Sequence, residues 1–262
     1  MSETFKAERD TIAGLALLAA NHVRFDPPLS SGAGVSHVRG FNVHCLVIDN
    51  TDGEVLALEQ NHIHAEGNPL QHAEQVGVRA ALDRLRKKRP RPTDMPVEKY
   101  YKQLLFMAPG TGADDFLNFG CTLYNTFDPC GMCATTLLVC YMKRIAFLFD
   151  DQKFATVYDD MRQYFKNRDS VKEPLSTVAP AGGVATPLQD AATLIQSFRD
   201  RVHALETAGT PLVFTLDSQF DELAKATRLL MQIRPEHLTT TDGERDRNLR
   251  TLEDVRRLCN LQ

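Results

Sequence analysis

The sequence predicts an α/β protein: a central sheet covered by helices on both faces, followed by a mainly helical C-terminal third. Three observations carry this reading. Residues 41–49 and 54–60 are apolar, partly β-branched runs joined by the turn signal Asn50-Thr51-Asp52-Gly53. Their apolar residues fall on both parities, as in strands buried on both faces. From about residue 155 onward, strand-like runs give way to one helical pattern after another.

The elements follow in order. Residues 4–23 read as an amphipathic helix, with Ile12, Leu15 and Ala19 at helical spacing. Asp26-Pro27-Pro28 and Ser30 to Gly34 are loop. After the hairpin, Asn61 to Gln71 is a loop leading into a helix that opens at His72, with Val76, Ala80 and Leu85 among its apolar positions. The loop holds a second His-Ala-Glu tripeptide, His64-Ala65-Glu66, followed by Gly67-Asn68-Pro69, which stops a helix at once. A short helix is expected over 97–107 and a loop at Pro109 to Gly112. Residues 121–127 form the third strand, 131–142 a helix and 144–149 a fourth strand. Helices are expected at 154–166, 187–207, 217–232 and 243–260, and a fifth strand near 174–179 or 211–216. The expected organisation is a core over 1–155, with an insertion near 88–118, and a C-terminal extension over 156–262 packed on it.

A chain of 262 residues can bury a sizeable core. Its net charge of −4 makes the whole molecule no electrostatic magnet for nucleic acid. The local exception is Arg84 to Arg91, with six basic residues. It reads as a solvated helix end or as a phosphate-binding patch for tRNA, and the scarcity of interleaved aromatics favours the former. Cys45, Cys121 and Cys140 sit in apolar contexts, which points to reduced thiols and a cytoplasmic setting. The apolar run Ala13 to Ala20 is too short to span a bilayer, and the acids before it do not suit a signal peptide.

The chemistry concentrates around Pro129-Cys130-Gly131-Met132-Cys133. Two cysteines three apart at a helix start can hold one face of a tetrahedral zinc, and the helix N-terminus favours their thiolate form. The same pair fits a redox couple, half of a zinc ribbon or two buried thiols. A ribbon needs a second such pair, which the other four cysteines do not supply. Upstream stands His72-Ala73-Glu74, and zinc deaminases carry H-x-E followed by P-C-x-x-C.

On these motifs the chain resembles the cytidine-deaminase-like superfamily, in the branch of tRNA adenosine deaminases, guanine deaminases and fungal cytosine deaminases. That branch reads like N-P-T-A-H-A-E and T-L-E-P-C-x-M-C. Here the segments are Asn68-Pro69-Leu70-Gln71-His72-Ala73-Glu74 and Thr126-Phe127-Asp128-Pro129-Cys130-Gly131-Met132-Cys133. Asp128 replaces the usual Glu, and Gly131 a frequent Pro. The branch also has an Asn eleven residues before the ligand His, and Asn61 holds that position.

The resemblance implies a three-layer α/β/α sandwich with a mixed sheet. It implies Zn2+ on His72, Cys130 and Cys133, Glu74 as a proton shuttle off the metal, and substrate contacts from Asn61 and the backbone N–H of Ala73. His64 is the lesser candidate ligand. Tyr124 and Asp128 are pocket candidates for which a structural role is preferred. The expected activity is hydrolytic release of ammonia from a nucleobase or nucleoside, with guanine or a related aminated base leading. A tRNA-specific adenosine deaminase is the alternative, and a non-catalytic deaminase-fold subunit the second. A homo-oligomer, most simply a dimer, is expected.

Overall fold

The computed structural model describes residues 2–23, 29–30, 36–37, 43–97, 99–100, 104, 120–150, 158, 161, 170–179, 184–207 and 221–261. Helix α1 (Glu3–Val23) is followed by a two-residue ladder of β1 (Leu29–Ser30) with β2 (Ser36–His37). Then come the hairpin β3 (His44–Asp49) and β4 (Val55–Gln60), one-turn α2 (Ile63–Glu66) and α3 (Ala73–Lys88). β5 (Cys121–Phe127), α4 (Gly131–Val139), β6 (Arg144–Phe149) and β7 (Val171–Pro174) complete the sheet region. The C-terminal helices are α5 (Pro187–Thr207), α6 (Asp221–Gln232) and α7 (Asp242–Leu258).

The strands form one mixed sheet in the order β4-β3-β5-β6-β7. β3 pairs antiparallel with β4 and β5, whereas β5, β6 and β7 run parallel. Strand alternation divides the core into two layers. Leu46, Ile48, Tyr124, Ala146 and Leu148 join the cluster containing α1, α5, α6 and α7. Cys45, Val47, Cys121, Leu123 and Ile145 join the cluster of α3 and α4. The expected α/β/α sandwich with a mixed sheet is therefore the observed architecture.

α1 differs from the expected amphipathic helix. Residues 8–21 are all buried, because α6, α7 and α5 cover the face that the sheet does not. Its buried acids Asp10 and Glu8 find partners inside. Arg144 of β6 donates to both carboxylate oxygens of Asp10, at 2.8 and 2.7 Å. Glu8 accepts from the backbone and hydroxyl of Thr239, from Thr240 and from Asn248.

The buried stripe of α3 is Glu74, Gly77, Val78, Ala81 and Leu85, while Val76 and Ala80 are only half-buried. The stripe is rotated by about one residue from the expected one. Gly77 sits directly on β3: a Cβ there would lie 2.7 Å from Cys45 Sγ. α4 ends at Val139 rather than 142, because Tyr141 turns left-handed (φ 57°) and Met142 N–H bonds back to Leu137.

The fifth strand is Val171–Pro174, just upstream of one expected location; 211–216 lies outside the described residues. It is a short edge strand, and its charges pair with distant residues: Lys172 with Asp128, Glu173 with Arg144 and Lys6. Charges and a proline suit an edge. Of the expected helix 154–166 only Tyr158 and Met161 are described, and both are helical, as are Val97, Lys99, Tyr100 and Leu104. The expected loop at 109–112 lies outside the described residues.

Half of the basic run is tied to acids, while Arg86, Lys87 and Arg91 are exposed. Lys88 Nζ contacts Asp49, Asp52 and Glu54 at 2.7, 2.7 and 2.9 Å. Arg84 pairs with Glu54 at 2.8 Å, and Arg89 donates to Asp49 and Thr51. Arg250 of α7 joins the same carboxylates, Asp52 and Glu54. The β3–β4 turn thus gathers the C-terminal end of α3. Gly53 in that turn has φ 77°, and a Cβ there would lie 2.0 Å from the Arg247 carbonyl.

Candidate metal centre

The end of β4 and the start of α3 are tied together by the loop between them. Asn61 N–H donates to Val43 O at 3.0 Å, and Asn61 Oδ1 accepts from Ile63 N–H at 3.0 Å. The single turn α2 ends at Gly67, which is left-handed (φ 60°), and His62 N–H closes the loop on Gln71 O at 2.9 Å. Asn61 and His72 become neighbours despite their eleven-residue separation. The side chains of His64 and Ala65 lie outside the described residues.

His72 is the N-cap of α3, and Cys130 is the N-cap of α4. Cys133 lies in the first turn of α4 and is fully buried. Two helix N-termini therefore converge, each with free N–H groups and the positive end of its dipole. One ligand atom from each of His72, Cys130 and Cys133 falls within 4.8 Å of the other two. Cys130 Sγ and His72 Nδ1 are 3.8 Å apart. A tetrahedral zinc would hold a nitrogen and a sulfur about 3.6 Å apart, so the donor set and its spacing fit that ion.

The three groups share their protons unequally. A hydrogen bond from Cys133 holds the Cys130 thiol down at about 4, against burial and with help from His72. Cys133, which gives that bond and is buried beside Glu74, is pushed up and keeps its proton. The Cys130 hydrogen bond raises His72 above its usual value. Metal binding to such a set displaces the remaining protons.

Glu74 follows in the first turn of α3 and is 4 % exposed. Burial raises its carboxyl above the ordinary range. Asn125 of β5, fully buried, donates its Nδ2 to Glu74 Oε1 at 2.8 Å. Asn125 is absent from the motifs. Its one sequence signal is its parity, shared with the inward-facing Cys121 and Leu123.

Residues 32–149 match the family described as the cytidine and deoxycytidylate deaminase zinc-binding region. This region is a deaminase domain of the cytidine-deaminase-like superfamily. Its cofactor is zinc, which His72, Cys130 and Cys133 would hold. No curated protein matches the chain. Among solved structures, one from work on A-to-I editing by tRNA:A34 deaminases is 23 % identical, covers 53 % of this chain and 78 % of its own, and has a TM-score of 0.32. Guanine deaminase from Nitrosomonas europaea is 14 % identical, covering 62 % and 74 %, with a TM-score of 0.35. That from Bacillus subtilis is 18 % identical, covering 62 % and 82 %, with a TM-score of 0.31.

The expected site residues of the deaminase domain are distributed as follows. His72, Cys130, Cys133 and Glu74 come together. Ala73 is buried at the first helical position of α3, where a backbone N–H has no partner in its own helix. Asn61 is buried at the strand end, with its Oδ1 engaged by Ile63 N–H. Tyr124 faces the opposite layer, where Arg144 donates to its hydroxyl at 3.3 Å. Asp128 pairs with Lys172 at 2.7 Å. Both make structural contacts. Among the described residues no helix is long and apolar enough to cross a membrane.

Proposed function

We propose that this chain is a zinc-dependent hydrolytic deaminase that releases ammonia from an exocyclic amine of a nucleobase or nucleoside. What carries the reading is one juxtaposition: a buried glutamate, held by a donor, beside a His-Cys-Cys cluster that it does not join. Three protein ligands are the number found at catalytic rather than structural zinc. Zinc bound there would acidify a water towards a pKa of about 7, giving a nucleophile at neutral pH. In this reading Glu74 accepts the water's proton on its carboxylate, passes it to the ring nitrogen, and returns one to the departing ammonia. Burial raises its carboxyl above the ordinary range, the direction that suits a group that must both take and give protons. Asn61 and the Ala73 N–H are assigned to hold the base or its sugar. Guanine or a related aminated base is the leading substrate, on the likeness of the Asn68-Pro69 and Cys130-x-Met132-Cys133 segments to that branch.

The basic run does not support a tRNA substrate. Arg84, Lys88 and Arg89 are engaged by acids of the β3–β4 turn. They also lie at the far end of α3, whose 16 residues put them about 20 Å from His72.

The test is ammonia release by zinc-loaded protein from guanine, cytosine, adenine, their nucleosides and unmodified tRNA, with Glu74→Ala as the control. Turnover of one small molecule, abolished in the control, is expected. Turnover of tRNA alone would move the reading to a polymeric substrate, and silence across the panel would overturn it.

A further inference from the structure

We infer that Asn125 is a positioning residue that fixes the orientation of the Glu74 carboxylate. The inference rests on the deaminase reading above and adds a residue to it.

Asn125 pairs in register with Cys45 on the neighbouring strand, so its side chain faces α3. It makes two hydrogen bonds from one amide group: Nδ2 donates to Glu74 Oε1 at 2.8 Å and to Phe127 O at 2.7 Å. Both partners are acceptors, so the amide has one workable orientation. Turned over, its Oδ1 would face a carboxylate and a carbonyl. The orientation leaves Asn125 Oδ1 buried with no hydrogen-bond partner among the described residues. Such an orphan is costly, and an apolar side chain in this inward row would avoid it. The benefit that retains an amide here lies at its donor end.

That end joins the two halves of the site. Phe127 stands at the end of β5, three residues before Cys130, whereas Glu74 belongs to α3 with His72. With Oε1 engaged by Asn125, the carboxylate is anchored on its sheet side, while Cys133 meets it from the ligand cluster.

The experiment measures kcat, KM, zinc content and thermal unfolding for wild type, Asn125→Ala and Asn125→Asp. Misplacing a reacting group costs about 10²-fold. Asn125→Ala should therefore lose about that much in kcat, with KM within about twofold and zinc still one per chain. Asn125→Asp should lose at least as much, since it sets one carboxylate against another. A merely structural role would instead lower zinc content or thermal stability along with kcat.

A readout independent of turnover is the Asn125 side-chain amide in the NMR spectrum of zinc-loaded protein, which needs no Asn125 variant. Its two proton signals should shift and lose exchange protection in Glu74→Ala. Full kcat in Asn125→Ala, a loss of zinc or stability that accounts for the fall in kcat, or amide signals indifferent to Glu74→Ala would each overturn the inference alone. A wild type that turns over nothing would overturn the deaminase reading and, with it, any catalytic role for Asn125, while the amide signals would still report the contact.

Discussion

Arg144 and Asp10 are both fully buried and face each other through two parallel hydrogen bonds, 134 positions apart in the chain. Arg144 also donates to Glu173, and Asp10 accepts from Ser176 N–H at 2.8 Å. The pair thus pins α1 to the parallel edge of the sheet. Removing one partner of a buried pair leaves an uncompensated charge, which costs about 3–5 kcal/mol. Asp10→Ala is expected to lose that much in urea unfolding. Asp83→Ala, which breaks the exposed pair with Arg86, is expected to lose under about 1 kcal/mol.

Acid should weaken the fold through two other carboxylates. Burial alone would raise Asp49, but hydrogen bonds from Lys88 and the charge of Arg89 outweigh it and hold the carboxyl below its ordinary value. Burial is likewise outweighed at Glu173, by Arg144 and Lys6. A carboxylate whose folded pKa is depressed gives its full stability above the unfolded value and loses it as pH falls through the folded one. The loss therefore sets in below about pH 4.5. Unfolding free energies across that range should fall more steeply in wild type than in Asp49→Asn.

The contact of Gly77 with Cys45 predicts an inverted substitution. Gly→Ala inside a helix ordinarily gains up to about 1 kcal/mol. Here the new methyl would lie 2.7 Å from a buried sulfur, so Gly77→Ala should instead lose about 1–3 kcal/mol. Adding Cys45→Ala should restore most of it. Thermal unfolding of the three variants checks this, and a stabilised single variant would refute the close approach.

Zinc should co-purify at about one per chain. His72→Ala and Cys130→Ala should each lose it, as read by elemental analysis. A full complement in His72→Ala would return His64 to consideration.

The sequence made the local parts of this architecture legible. The β3–β4 hairpin announced itself by turn chemistry and buried strands, and the metal cluster by residue types at fixed spacing. What escaped depends on partners far along the chain. Val171–Pro174 has little apolar signal, and its place in the sheet is reinforced by Asp128, Arg144 and Lys6. The basic end of α3 reads as surface until the acids of residues 49–54 fold against it. Asn125 is one polar residue in an apolar strand, and only the approach of Glu74 gives it a role. The rotation of α3 was hidden because a glycine, not an apolar side chain, marks its closest approach to the sheet.

The burial of α1 also sets an order of events during synthesis. Glu8 waits for Asn248, which lies 240 positions later in the chain. At roughly 5–20 residues per second, translation needs on the order of ten seconds or more to deliver it. Throughout that interval α1 has made its apolar surface and its buried acids, but α6 and α7 do not yet exist to cover them. The nascent chain must therefore carry an unfinished layer until α6 and α7 emerge, which gives a ribosome-bound chaperone reason to hold α1.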